Sequence, residues 1–218
     1  MTTDRRPQTA IKSSKLISTS ANWLIITSIL AFCIPHTASA QLLNSFALDT
    51  ATAYTSMEEA LKNPNDVYHL NLRKQKLTKF PKEIFELKNL NIINLSKNKI
   101  IEIPTEISQL QYLQKLNLSK NKLETLPKEI GELKALKHLK LGQNNIVYLP
   151  RHIGELTNLV YLDLWNNDLS TLPKEIGNLT NLKKLDLRMI QLNKQKQNHI
   201  KSLLPNTEIY FSNACNCD

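Results

Sequence analysis

Four glycines, three cysteines and a 6% aromatic share in 218 residues set the first limits. The few glycines form no phosphate loop and no dinucleotide fingerprint, and neither H-E-x-x-H nor G-x-S-x-G occurs. Cys215 and Cys217 are separated by one residue, an awkward spacing for a mutual disulfide. Two cysteines without a second pair also make no zinc set. His69 and His138 stand three repeats apart, roughly 14 Å by strand spacing, and cannot share a metal directly. We therefore assign no catalytic residue, no metal ligand and no cofactor, and expect a chain that is not an enzyme. Long apolar runs are also scarce. The run from Trp23 to Ile34 is too short to cross a bilayer of roughly 30 Å as a helix.

That run has the surroundings of a secretory signal peptide. Arg5, Arg6, Lys12 and Lys15 precede it, and Ala38-Ser39-Ala40 follows with small residues at the cleavage positions. Residues 1–40 are read as the signal, with Gln41 first after cleavage. Cys33 is the competing lipid-attachment site, disfavoured by the bulky Phe32 before it. The expected location is secreted or cell surface, with no stable membrane insertion after cleavage. Removing four basic residues and Asp4 takes the 28 basic and 19 acidic residues to 24 and 18, a net charge of +6.

What is abundant is periodic. Pro81, Pro104, Pro127, Pro150 and Pro173 recur at one spacing, and NLSKNK and LPKEIG each occur twice in phase with them. The unit is L-x-x-L-x-L-x-x-N-x-L-x-x-L-P-x-x-I-x-x-L-x-x, seen whole from Leu113 to Ala135. Self-similarity at twenty to thirty residues marks a solenoid. Leu113, Leu116 and Leu118 point inward from a short strand, and Leu123, Leu126, Ile130 and Leu133 fill the rest of the coil. Proline fixes φ and lacks an N–H, so it belongs on the irregular convex side. Asn98, Asn121, Asn144 and Asn167 follow each strand, where an amide can satisfy buried backbone groups. Gln75 and Ile190 replace it in the first and last units.

The pattern resembles a leucine-rich repeat. The resemblance implies an α/β, right-handed solenoid: a parallel sheet on the concave face, short helical or 3-10 segments on the convex face, and helical caps. The chain then divides into a signal peptide (1–40), a flexible leader (41–54), a cap helix (55–66), repeats (67–192, five full and a sixth degenerate), a C-terminal cap helix and strand (193–211) and a tail (212–218). Ser56 with Glu59 has capping-box spacing for the first cap. Lys194 and Lys196 sit unfavourably at the start of the second.

Side chains between the inward leucines form the concave face, where solenoids bind partners. Toward its C-terminal end Tyr161 and Trp165 stand among His138, Lys140, Asp163, Lys184, Asp186 and Arg188. Aromatics with arginine are the residue types enriched at binding hot spots. This patch is the expected site for a protein partner. Toward the N-terminal end Lys74, Lys97 and Lys120 stack, as do Lys76, Lys99 and Lys122. Like charges one coil apart repel, and this ridge is the alternative site, for a polyanion or glycan; a structural envelope protein with no specific ligand is the other alternative. Nucleic acid is not expected, because no aromatic platform interleaves these lysines.

MEEALKNPNDVYHLNLRKQKLTKFPKEI and the ending IKSLLPNTEIYF further resemble the secreted leucine-rich-repeat proteins of pathogenic spirochaetes. That resemblance implies exported proteins engaging host surface or extracellular-matrix proteins, without binding residues fixed by a motif. Met189-Ile190-Gln191 in the sixth unit departs from the pattern.

Overall fold

A computed structural model describes residues 42–212. The expected signal peptide, Cys33, Cys215 and Cys217 lie outside the described residues. Every repeat contributes one three- or four-residue strand: β2 (His69–Asn71), β3 (Ile92–Asn94), β4 (Lys115–Asn117), β5 (His138–Lys140), β6 (Tyr161–Asp163) and β7 (Lys184–Leu187). With β1 (Ala53–Tyr54) before them and β8 (Glu208–Phe211) after, they form one parallel sheet in sequence order. The register repeats without slip, so His69, Ile92, Lys115, His138, Tyr161 and Lys184 are successive neighbours. The period-two pattern explains this: a slip by one residue would turn every inward leucine out of the core.

Behind the sheet each of the first five coils makes a single 3-10 turn, as at Lys128–Glu132 and Arg151–Glu155. The prolines stand immediately before these turns with φ between −64° and −73°, and their carbonyls accept the first amide bond. Leu116, Leu118, Leu123, Leu126, Ile130 and Leu133 are at most 3% exposed. They belong to one apolar core running from Ala60 to Leu204. The turns stack closely: a methyl group on Gly154 would collide with the carbonyl oxygen of Glu175 in the next coil.

The asparagines knit the coils together. The Asn121 amide donates to the carbonyls of Leu118 (2.8 Å) and Leu95 (3.0 Å), and its oxygen accepts from Ile100 N–H (3.0 Å). Asn98, Asn144 and Asn167 repeat this pattern, and all four are at least nine-tenths buried. They are structural and not accessible to a ligand. The residue before each is left-handed: Lys97, Lys120, Gln143 and Asn166 have φ of 53° to 61°. Their amides donate to the next coil, as Lys97 does to Ser119 at 2.9 Å.

The ends show what a terminal coil lacks. Gln75 donates to Thr55 (2.7 Å), bonding the leader where an asparagine would bond a preceding coil. Ile190 is 6% exposed and closes the sixth coil with packing instead of an amide. That coil nevertheless keeps its strand pairing despite departing from the pattern.

The flexible leader expected over 41–54 is corrected by the structure. Asn44 caps helix α1 (Ser45–Thr50) by accepting from Ala47 N–H, Leu48 is buried, and β1 pairs with β2. Leu43 accepts from the Gln114 amide and donates to Asn91, both just before their strands, and Asp49 pairs with Lys115 at 3.1 Å. The leader is held because it covers an otherwise open sheet edge. Helix α2 (Met57–Lys62) follows with Ser56 accepting from Glu59 N–H, and Ala60 is fully buried. At the other end Asn193 caps helix α3 (Lys194–Leu203), which crosses behind the sheet and delivers β8. The Lys196 ammonium donates to the Ser170 carbonyl at 2.8 Å, which accounts for a cation near that helix start.

Asn121→Ala leaves the buried Ile100 N–H without its acceptor and takes one of two amide donors from each of the Leu95 and Leu118 carbonyls, which keep Asn98 and Asn144. It should therefore lower unfolding free energy by about 2 kcal/mol in urea titration. Gly154→Ala should destabilise as well, although alanine normally suits a helical turn.

Candidate functional site

Three rows of side chains cross the sheet face between the inward leucines. The first runs His138, Tyr161, Lys184, Glu208; the second Lys140, Asp163, Asp186, Tyr210. The third, just past the strands, holds Gly142, Trp165 and Arg188. The structure thus brings together the residues read from the sequence as one patch. Apart from the buried Asp163, which lines neither, it divides them into two hollows. Tyr161 shares one with His138, Lys140, Lys184, Asp186, Arg188 and Tyr210. Trp165 lines the other with Arg188, Met189, Phe211 and Ser212. Arg188 belongs to both.

Trp165 is half-buried, and the room for it is made by a neighbour. A Cβ on Gly142 would overlap the Trp165 indole, whereas Ser96 and Ser119 occupy the equivalent positions in earlier coils. Coil four gives up a side chain so that an aromatic ring can lie over it. Tyr161 is half-buried too, with its ring 6.3 Å from that of His138 and the Lys140 ammonium 5.7 Å from its centre. Burial, Asp163 and Asp186 push its phenol above the ordinary range.

The charges are arranged to be mutually constrained. Arg188 grips Asp186 through Nη2 at 2.6 Å and Nε at 3.0 Å, which keeps the guanidinium charged, and lies 5.8 Å from the Tyr210 ring centre. Lys184 faces Glu208 at 3.7 Å. His138 is held below its usual value by burial, with Lys115, Lys140 and Lys137 adding repulsion. Asp163 has no ion-pair partner among the described residues. Burial, assisted by Asp186, pushes its carboxyl up to about 6 against the opposing Trp165 amide, Lys140 and Arg188.

The local reason for an acid there is absent. In coils one to three the same position is Asn71, Asn94 and Asn117, each accepting from the N–H two residues on. Asp163 and Asp186 make that same bond to Trp165 and Arg188. Asparagine therefore satisfies the geometry without charge. Local rules broken without a structural gain are concentrated at functional sites.

Glu208, Tyr210, Phe211 and Met189 were not among the residues expected here. A final strand over Thr207 to Phe211 was legible, but helix α3 interrupts the repeat period. Nothing in the spacing aligned Tyr210 with Asp186. The basic ridge lies apart, beside coils one to three, and the leader takes up Lys115 on that half of the sheet.

Stacked coils of strand and 3-10 turn around one continuous apolar core define a repeat solenoid. The chain belongs to the leucine-rich-repeat proteins: family models described as "Leucine rich repeat" and "Leucine-rich repeat region" match residues 65–123 and 112–208. A leucine-rich-repeat protein of Leptospira interrogans is 42% identical over 70% of this chain and 39% of its own, with a TM-score of 0.63. An internalin of Listeria monocytogenes is 24% identical over 70% of this chain and 45% of its own (TM-score 0.58), a likeness of fold. The leucine-rich-repeat ectodomain of the Arabidopsis thaliana receptor kinase GASSHO1/SCHENGEN3, in complex with CASPARIAN STRIP INTEGRITY FACTOR 2, is 27% identical over 72% of this chain and 19% of its own (TM-score 0.55). The chain spans less than half the length of each of these proteins. No curated protein matches it. No described helix is long and apolar enough to cross a membrane. The fold that this chain shares with these neighbours is the leucine-rich-repeat solenoid.

Because the Asp163 pKa is raised above its unfolded value, its ionised form weakens the fold. The penalty is absent below the unfolded value of 3.8 and grows as pH rises through about 6. Asp163→Asn should therefore stabilise the protein at pH 8 by about 1–3 kcal/mol and make little difference near pH 3.5, as read by thermal unfolding across pH.

Proposed function

We propose that the chain is an exported, non-enzymatic binding module that engages a host or cell-surface protein through the C-terminal half of its sheet face. The observation that carries this reading is Asp163. It is a buried carboxylate without an ion-pair partner among the described residues, at a position where asparagine serves in three other coils, beside Tyr161, Trp165 and Arg188. A cation or hydrogen-bond donor brought by a partner would complete it. The half-buried rings supply area that is rigid and amphipathic, and Arg188, already held by Asp186, needs little ordering to bind. The Arabidopsis ectodomain in its complex supports a protein partner for a solenoid of this kind. The basic run, apolar run and small residues before Gln41 support export.

The test uses the chain from Gln41 against an array of cell-surface and extracellular-matrix proteins. A specific partner should bind wild type, and Trp165→Ala and Tyr161→Ala should each weaken it by about 30-fold, equivalent to about 2 kcal/mol. Affinity should change little with added salt. Folded variants that keep wild-type affinity would overturn the assignment of this face.

A further inference from the structure

A separate set of observations concerns the other half of the molecule. Lys74, Lys97 and Lys120 occupy one position in three successive coils, each with φ close to 60°. Their amides are fixed by bonds to Ser96, Ser119 and Gly142 of the following coils at 2.9–3.1 Å, so the three side chains spring from a rigid backbone row. Left-handed backbone is unfavourable for a residue with a side chain, and least so for asparagine. Coil five has Asn166 at this position. The first three coils instead repeat lysine, and each lysine faces another at the spacing of adjacent strands, roughly 4.8 Å.

Nothing in the fold offsets this. Arg73 joins the row, and Lys97 is held below its ordinary value chiefly by Arg73 and then by Lys120. Among the described residues none of these four cations forms an ion pair, and neither do Lys76, Lys99 and Lys122, which make a parallel second row. Glu102 and Glu124 lie a few residues on in the sequence and form no ion pair with either row. Backbone strain and like-charge repulsion thus coincide at one position three times, where asparagine would relieve both.

We propose that this double row is a binding site for a sulfated polysaccharide, laid across coils one to three along the direction in which the coils stack. The chemistry follows from the spacing. Cations repeating at strand distance over three coils match a chain that carries anionic groups at several points along its length, and less well a single compact anion. The site contains no aromatic ring on which a base could stack, which disfavours nucleic acid. Its lysines are the heads of flexible stems on a rigid row, suited to sulfate groups whose positions vary along the chain.

The experiment uses heparin as the probe and the chain from Gln41 as the protein. Wild type should bind heparin at about 0.1 M salt and be released steeply as salt rises, because the charges are exposed. The triple variant Lys74→Asn, Lys97→Asn, Lys120→Asn suits the left-handed backbone and should fold at least as stably, with affinity lowered at least tenfold. A control, Lys128→Asn, Lys134→Asn, Lys174→Asn, removes the same charge from the 3-10 side and should bind heparin like wild type. Equal losses in both variants would reduce the effect to net charge and overturn the site. Absence of heparin binding by wild type, or tighter binding to single-stranded DNA or phosphatidylserine vesicles than to heparin, would overturn the polysaccharide assignment.

Discussion

No coil of this protein can close by itself, because the amide that closes it bonds to its neighbour. Asn121 donates both to its own coil, at Leu118, and to the coil before, at Leu95. A buried backbone carbonyl without a partner costs about 1–3 kcal/mol, so the turn after each strand exists only where a second coil stands beside it. The leucines impose the same condition in apolar form, since one coil's worth of them makes no enclosed core. Stability is consequently a property of the stack, and the caps are part of it. Gln75 bonding the leader and Ile190 packing under the last turn are two solutions to the problem of having one neighbour.

That constraint fixes the inside and leaves the outside open to variation. The sheet face differs between its halves because no outward position is needed for stacking. In the first half the leader is tied to Asn91, Gln114 and Lys115, and cations gather beside the strands. In the second half aromatics and acids replace them, around an arginine that touches both hollows. Two features depart from what stacking favours, the left-handed lysines of one half and the buried Asp163 of the other. In each case asparagine is used elsewhere at the equivalent position.

Much of this was legible because repetition multiplies a weak signal. One leucine among polar residues says little, whereas six in phase fix the strand register before any coordinate is seen. The asparagine row was readable for the same reason, whereas the first cap helix was readable from the capping-box spacing of Ser56 and Glu59. The leader was not, because Leu43 and Asp49 belong to no repeat and their partners lie more than forty residues away. The room made for Trp165 was equally hidden: Gly142 reads as a gap in a column of serines until the indole is found lying over it. Tyr210 and Phe211 escaped because helix α3 breaks the period that aligned everything before it.

The sequence by itself determined the coil, its direction and its register, since these follow from a pattern that tolerates no slip. Tertiary structure alone decided which outward residues meet in one hollow, which half of the sheet the leader attaches to, and how far Asp163 is withdrawn from water. Those outcomes depend on side chains from different coils and from non-repeating ends. Their distances are set by packing, and no spacing along the chain encodes them.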